Sequence, residues 1–292
     1  MPRSRRAVKA NISICYDFDG TLIRGNMQEN SFLPGVGQDP SEFWAKVGKH
    51  AKRHDMDEVV AYMHLMIEAA RSADQPFNRQ SLRDHGSKLD LFPGVATWFR
   101  RINQYCRVAG ATVEHFVISS GLEEMIRGSE IAGEFRHVFA SGFTYDANGV
   151  PAFAARSVNY TTKTQYLFRI NKGILNSWDN QKINRYTPEE DRPRPFSRII
   201  YIGDGETDVP AMKMVNHQGG YSIVVWPLKR GPRMTREEMR KKEKAEQLVR
   251  ENRAQFVAEA DYEDGGPVHR VVTMLVRRIV GEYDLGMNLN AG

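Results

Sequence analysis

Cysteine is nearly absent, with Cys15 and Cys106 the two in 292 residues. That leaves no room for a disulfide framework. Cys15 lies inside an apolar run and Cys106 ends a helical pattern, so both are expected as buried thiols, and a reducing, cytoplasmic setting is expected with them. No apolar run approaches the roughly 20 residues that a membrane span requires. The basic start, Met1 to Arg6, is not followed by the apolar stretch of a signal peptide. An excess of one charge is lacking too: 41 Lys and Arg against 36 Asp and Glu leave +5. Such a balance mildly favours anions, and phosphorylated small molecules satisfy it as readily as nucleic acid does. Neither nucleic acid nor membrane is expected as a partner. The Gly-x-x-x-x-Gly-Lys-Ser/Thr phosphate loop, the Gly-x-Ser-x-Gly elbow and the Gly-x-Gly-x-x-Gly fingerprint are all missing, which disfavours kinase, serine hydrolase and dinucleotide-binding readings. The eight histidines show no metal-ligand spacing and are expected as structural or surface residues.

What is present begins at Ile12 to Thr21, where an apolar run stops at Asp17 and a second acid, Asp19, follows. In extended backbone alternate side chains share a face, so both acids can meet one reactant, with Gly20 allowing a sharp turn behind them. Paired carboxylates repel unless a cation or a shared proton relieves them. An Asp-Gly turn closing an ordinary strand reads the same fragment, so the rest of the chain decides. Residues Pro34 to Pro40 read as a linker. A helix from Ser41 (Phe43, Trp44, Val47), one over Asp57 to Arg71 and a short one ending at Gly86 form a helical insert that closes at Leu91-Phe92-Pro93-Gly94. A helix through Val95 to Tyr105 precedes a strand at Val113 to Ile118, which ends at Ser119-Ser120-Gly121. A helix at Glu123 to Gly128 and a hairpin about Asn148-Gly149 come next, and Lys163 then leads into a helix over Thr164 to Ile170. Asn176 to Ser197 reads as irregular, and a third strand, Ile199 to Ile202, stops at Gly203-Asp204-Gly205-Glu206-Thr207-Asp208. Strands at Tyr221 to Trp226 and Phe256 to Ala260, a solvated helix at Thr235 to Arg253 and an amphipathic helix from Pro267 to Ile279 complete the chain. The alternation predicts an α/β fold with a Rossmann-like, mainly parallel sheet, whose ligands bind beyond the carboxyl ends of the strands. If the three strands that stop at Asp17/Asp19, Ser119 and Asp204/Asp208 are neighbours, those polar clusters meet at one edge.

Taken in order, Asp-Phe-Asp-Gly-Thr at 17–21, Ile-Ser-Ser-Gly at 118–121, Lys163 before a helix and Gly-Asp-Gly-Glu-Thr-Asp at 203–208 resemble the haloacid dehalogenase superfamily of aspartate-nucleophile phosphatases. The insert resembles the small cap of its phosphoserine-phosphatase-like branch. The resemblance implies a catalytic core of residues 1–35 and 92–292 with a helical, C1-type cap of 36–91, and magnesium-dependent hydrolysis of a small phosphorylated metabolite. Asp17 would attack phosphorus to form an aspartyl-phosphate, Asp19 would carry the proton, and Ser119 and Lys163 would hold the phosphoryl oxygens. Mg2+ would be held by Asp17, the backbone carbonyl of Asp19 and Asp204, with Asp208 a further ligand or the group that orients a metal-bound water or Lys163. Gly20, Ser120 and Arg24 are expected at the substrate, Arg24 near the mouth of the site. Ser120 and Lys172 stand as alternatives to Ser119 and Lys163. Transfer to an acceptor other than water, and a silent metal-binding module, are the alternative functions. Dehalogenation is disfavoured by the presence of Asp19 and the metal acids. The branch's amine-binding carboxylate, nine residues after the nucleophile, is Asn26 here, with Glu29 three residues further on, which puts phosphoserine in doubt. Trp44, Tyr62 and His64 are candidate pocket residues.

Overall fold

The computed structural model describes residues 10–228 and 233–289, with side chains up to 286; the basic start, Met1 to Arg6, lies outside the described residues. Seven strands, β1 (Ala10–Tyr16), β2 (Ala111–Leu122), β3 (His137–Tyr145), β4 (Pro151–Arg156), β5 (Ile199–Gly203), β6 (Tyr221–Trp226) and β7 (Phe256–Glu259), form one sheet. Its order is β4-β3-β2-β1-β5-β6-β7. All neighbours are parallel except the β3/β4 hairpin. The sheet is thus mainly parallel, with helices on both faces, which is why β1 reads as a nearly continuous apolar run. Its side chains still alternate: Ile12, Ile14 and Tyr16 join one core with Trp98, Phe99 and Val272, while Cys15 joins another with Phe116, Ile118, Tyr201 and Leu167. Both cysteines are buried free thiols.

Register brings the polar clusters together. Tyr16 lies opposite Val117 of β2 and Ile202 of β5, so the residues that follow each strand emerge at the same edge. The Asp17 amide donates to the Ile202 carbonyl at 2.8 Å and extends the pairing past the strand.

Three helices of the insert begin with side-chain caps. Asp39 caps Pro40–His54, Asp57 caps Glu58–Ser72, and Asn78 with Ser81 forms a capping box for Arg79–Gly86. Capping sets the first helix one residue ahead of the expected start, with Pro40 in its first turn. The expected linker at Pro34 to Pro40 is corrected in its first half. Helical turns run over Met27–Asn30 and Phe32–Gly35, and Met27, Phe32 and Leu33 are buried. Burying those side chains outweighs the local breaker signal of Pro34 and Gly35. β2 continues four residues past Ile118, with a register shift between Ser119 and Leu122. Bulges of this kind re-aim side chains at a sheet edge. Lys163 is the first residue of the helix Lys163–Lys172 rather than its predecessor. A short helix, Asn180–Asn184, interrupts the expected irregular connection. Among the described residues no helix is long and apolar enough to cross a membrane.

Candidate active site

Asp17 is buried where β1 ends, and its Oδ1 accepts from the Phe18 amide at 2.7 Å and lies 3.1 Å from the Lys163 ammonium. Lys163 is itself fully buried, and its Nζ donates to Asp208 Oδ1 at 2.6 Å. Asp208 is held from three sides, since Oδ1 also accepts from the Tyr201 hydroxyl at 2.6 Å and Oδ2 from the Asp204 amide at 3.1 Å. Asp17, Asp204 and Asp208 each place an oxygen within 4.8 Å of the others. Gly20, at φ +68°, is what lets Asp204 come so near, because a Cβ there would overlap its Oδ2. Asp19 is fixed by its Oδ1, which accepts from the Met27 amide at 2.9 Å.

Crowding these acids has an electrostatic consequence. Burial and the repulsion of Asp208 push Asp17 well above the ordinary carboxylate range. The same two causes raise Asp204 to about 7, and burial raises Asp19 to about 7 although the Met27 amide opposes it. Burial opposes the charge on Lys163, yet Asp17 and Asp208 hold it above its usual value, so it stays an ammonium.

Ser119 is fully buried, and its Oγ accepts from the Gly121 amide at 3.0 Å. Ser120, its neighbour, lines a cavity of about 360 Å³ together with Asp17, Asp19, Asp204, Trp44 and Tyr62. The Ser120 carbonyl accepts from the Tyr62 hydroxyl at 2.6 Å, which ties the helix Glu58–Ser72 to the sheet edge. The Ser120 hydroxyl is buried and has no hydrogen-bond partner among the described residues.

Not every expected residue reaches the cavity. Arg24 lies apart from it: its guanidinium donates to the Leu228 carbonyl at 3.0 Å and rests on the Phe92 ring, 4.8 Å from the centroid. Lys172 donates to the carbonyls of Ile183 and Arg185 at 2.6 and 2.8 Å. His64 pairs with Glu68 at 3.2 Å and stacks on His50. Glu29 accepts from Asn26 Nδ2 and from Trp44 Nε1, both at 2.7 Å, so it orients two lining residues. Gln28, Glu58 and Tyr160 also line the cavity, and Tyr201 buttresses Asp208. Periodicity gives no sign of them: Gln28 lies in a turn and Tyr201 reads as one more apolar strand residue.

Residues 14–213 match the family model described as haloacid dehalogenase-like hydrolase. An uncharacterized protein of Borreliella burgdorferi is 29% identical over 230 residues, covering 70% of this chain and 79% of that protein. Among solved structures, a HAD family hydrolase from Salmonella enterica subsp. enterica serovar Typhi superposes with a TM-score of 0.55 at 16% identity, over 92% of this chain and 72% of its own. A probable phosphoserine phosphatase from Vibrio cholerae gives 0.54 at 12% identity, over 94% and 67%. A substrate-bound phosphoserine phosphatase gives 0.50 at 14%, over 86% and 93%. Likeness at these identities speaks for the fold. With the family model spanning both aspartate motifs and the sheet that joins them, the chain belongs to the haloacid dehalogenase-like hydrolases.

Proposed function

We propose that the protein is a magnesium-dependent phosphomonoester hydrolase that works through an aspartyl-phosphate. The observation that carries this reading is the buried Lys163 ammonium clamped between Asp17 and Asp208, beside an acid cluster that is crowded beyond what one lysine neutralises. The donor set fits Mg2+, a hard cation that takes oxygen ligands. Asp17, Asp204 and the backbone carbonyl of Asp19 would hold it, and both side chains are held above their ordinary range by burial and by the repulsion of Asp208, which a cation relieves. Asp208 already accepts three hydrogen bonds, which suits it to positioning Lys163. When bound, the ion neutralises the cluster and polarises the phosphoryl group.

The chain's own groups do the rest. An Asp17 carboxylate oxygen bonds to phosphorus as the ester P–O bond breaks, and Lys163 and Ser120, whose unpaired hydroxyl lines the cavity in place of the expected Ser119, take the charge on the phosphoryl oxygens. Asp19, raised to about 7, is protonated often enough near neutrality to give its proton to the departing alcohol. It then removes a proton from the water that attacks the aspartyl-phosphate, which releases phosphate and restores Asp17. Turnover of phenyl phosphate with added Mg2+, followed with and without chelator, tests the reading. Chelator and Asp17→Asn should each cut it by roughly a hundredfold or more, the scale of losing one transition-state contact. Undiminished turnover by Asp17→Asn would overturn the nucleophile.

A further inference from the structure

We infer that the leaving group is an alcohol bearing a second hydrogen-bond donor, a hydroxyl or an ammonium, and no second anionic group, and that the Gln28 side-chain oxygen recognises it. The inference rests on the phosphatase reading and names its substrate class. Gln28 lines the cavity, is 1% exposed, and its Oε1 has no partner among the described residues. A buried acceptor left unpaired is costly, so a ligand donor that completes it is favoured. Gln28 follows Met27, whose amide holds Asp19, and Gln28 and Asp19 line the same cavity.

The remaining walls agree on sign. Four side-chain donors of the lining are committed to the protein, Trp44 and Asn26 to Glu29, Tyr62 to the Ser120 carbonyl, and Tyr160 to Glu58 at 3.4 Å, while the Ser120 hydroxyl beside Asp17 and Asp19 in the lining is unpaired. Trp44 and Tyr62 therefore offer ring carbon to the substrate, while Gln28 and Glu58 offer acceptors. Asp17, Asp19, Asp204 and Glu58 line the cavity, and no Lys, Arg or His does so among the described residues. A carboxylate or second phosphate on the leaving group would share the cavity with the Glu58 carboxylate and with no Lys, Arg or His of the described lining to pair it, an arrangement that rejects it.

The test compares kcat/KM of the full-length protein with Mg2+ for phosphoethanolamine, glycerol 3-phosphate, n-propyl phosphate, 3-phosphoglycerate and phenyl phosphate. One or both of the first two should exceed n-propyl phosphate and 3-phosphoglycerate by about tenfold or more, because a site built around a buried acceptor rejects ligands that cannot satisfy it. Which of the two leads separates ammonium from hydroxyl. In Gln28→Leu the ratio to n-propyl phosphate should fall to within about threefold of unity, through KM more than kcat. Equal or faster turnover of n-propyl phosphate or 3-phosphoglycerate by the unmodified protein overturns the inference even if Gln28→Leu fails to fold. An unchanged ratio in a folded Gln28→Leu overturns the role of Gln28. Turnover of phenyl phosphate alone overturns the substrate class and leaves the phosphatase reading standing, whereas no turnover of any ester overturns both.

Discussion

Asp204 shows how far one side chain can be forced from its solution behaviour. Buried beside Asp208, it is raised to about 7, so in the metal-free protein it keeps a proton that the unfolded chain has released. A carboxyl raised on folding stabilises the fold at low pH and loses that contribution as pH climbs from about 4, its unfolded value, through about 7. Metal-free Asp204→Asn should therefore unfold at higher denaturant than the unmodified protein at pH 8, by about 1 kcal/mol or more, and at the same concentration only below about pH 4. Equal midpoints at pH 8 would show that the repulsion is relieved within the protein itself. At this scale the sequence is very informative about residue type. The two acids at 17 and 19 and the two at 204 and 208 are legible because each pair follows an apolar strand at short spacing. The partners of those acids are not legible, because Tyr201 and Lys163 reach Asp208 through packing rather than through local spacing.

Among the elements, β2 carries both a structural and a site-forming load. Its outer half holds Ser119 and Ser120, and its inner half holds His115, buried with Nδ1 3.0 Å from the Tyr16 hydroxyl and Nε2 2.9 Å from Asn103 Oδ1. Trp98 Nε1 donates to the same Tyr16 hydroxyl at 2.9 Å, which leaves that hydroxyl's hydrogen for Nδ1 and makes the ring a neutral Nε2–H tautomer. Burial lowers His115 to about 3. The folded ring stays neutral while an unfolded one protonates below about 6.5, so its contribution is complete above that value and is lost as pH falls towards 3. Over that window the loss is about 1.4 kcal/mol per pH unit at most. Chemical denaturation at pH 7, 6, 5 and 4.5 should show the decline, and His115→Asn should flatten it; a decline of unchanged slope would assign it to other groups. Element types and order are legible from periodicity, including the hairpin at Asn148-Gly149. The expected linker Pro34 to Pro40 is misread at its start, where Pro34 and Gly35 signal a break and burial of Phe32 and Leu33 imposes the helical turn Phe32–Gly35.

At the scale of the whole molecule, the insert is joined to the sheet's helices by contact of backbone on backbone. A Cβ on Gly86, at the end of the insert's last helix, would overlap the Met125 carbonyl, and one on Gly128 would overlap the Arg83 carbonyl. Gly86→Ala should accordingly destabilise the protein by about 1 to 3 kcal/mol, the usual range for overpacking, despite alanine's better helix propensity. Thermal unfolding checks this, and an unchanged or raised midpoint would mean that the two helices separate at little expense. The sequence by itself determined the alternation of strands and helices, the strand ends that carry acids, and the family, because hydrophobic period and short-range motif spacing are local properties. Tertiary structure alone decided that Arg24 turns to Leu228 and Phe92, that Ser120 rather than Ser119 lines the cavity, and that Gln28 stands there with an unpaired oxygen. Those placements depend on which side chains, up to some two hundred positions apart, fill the same space, and no periodicity along the chain encodes that packing.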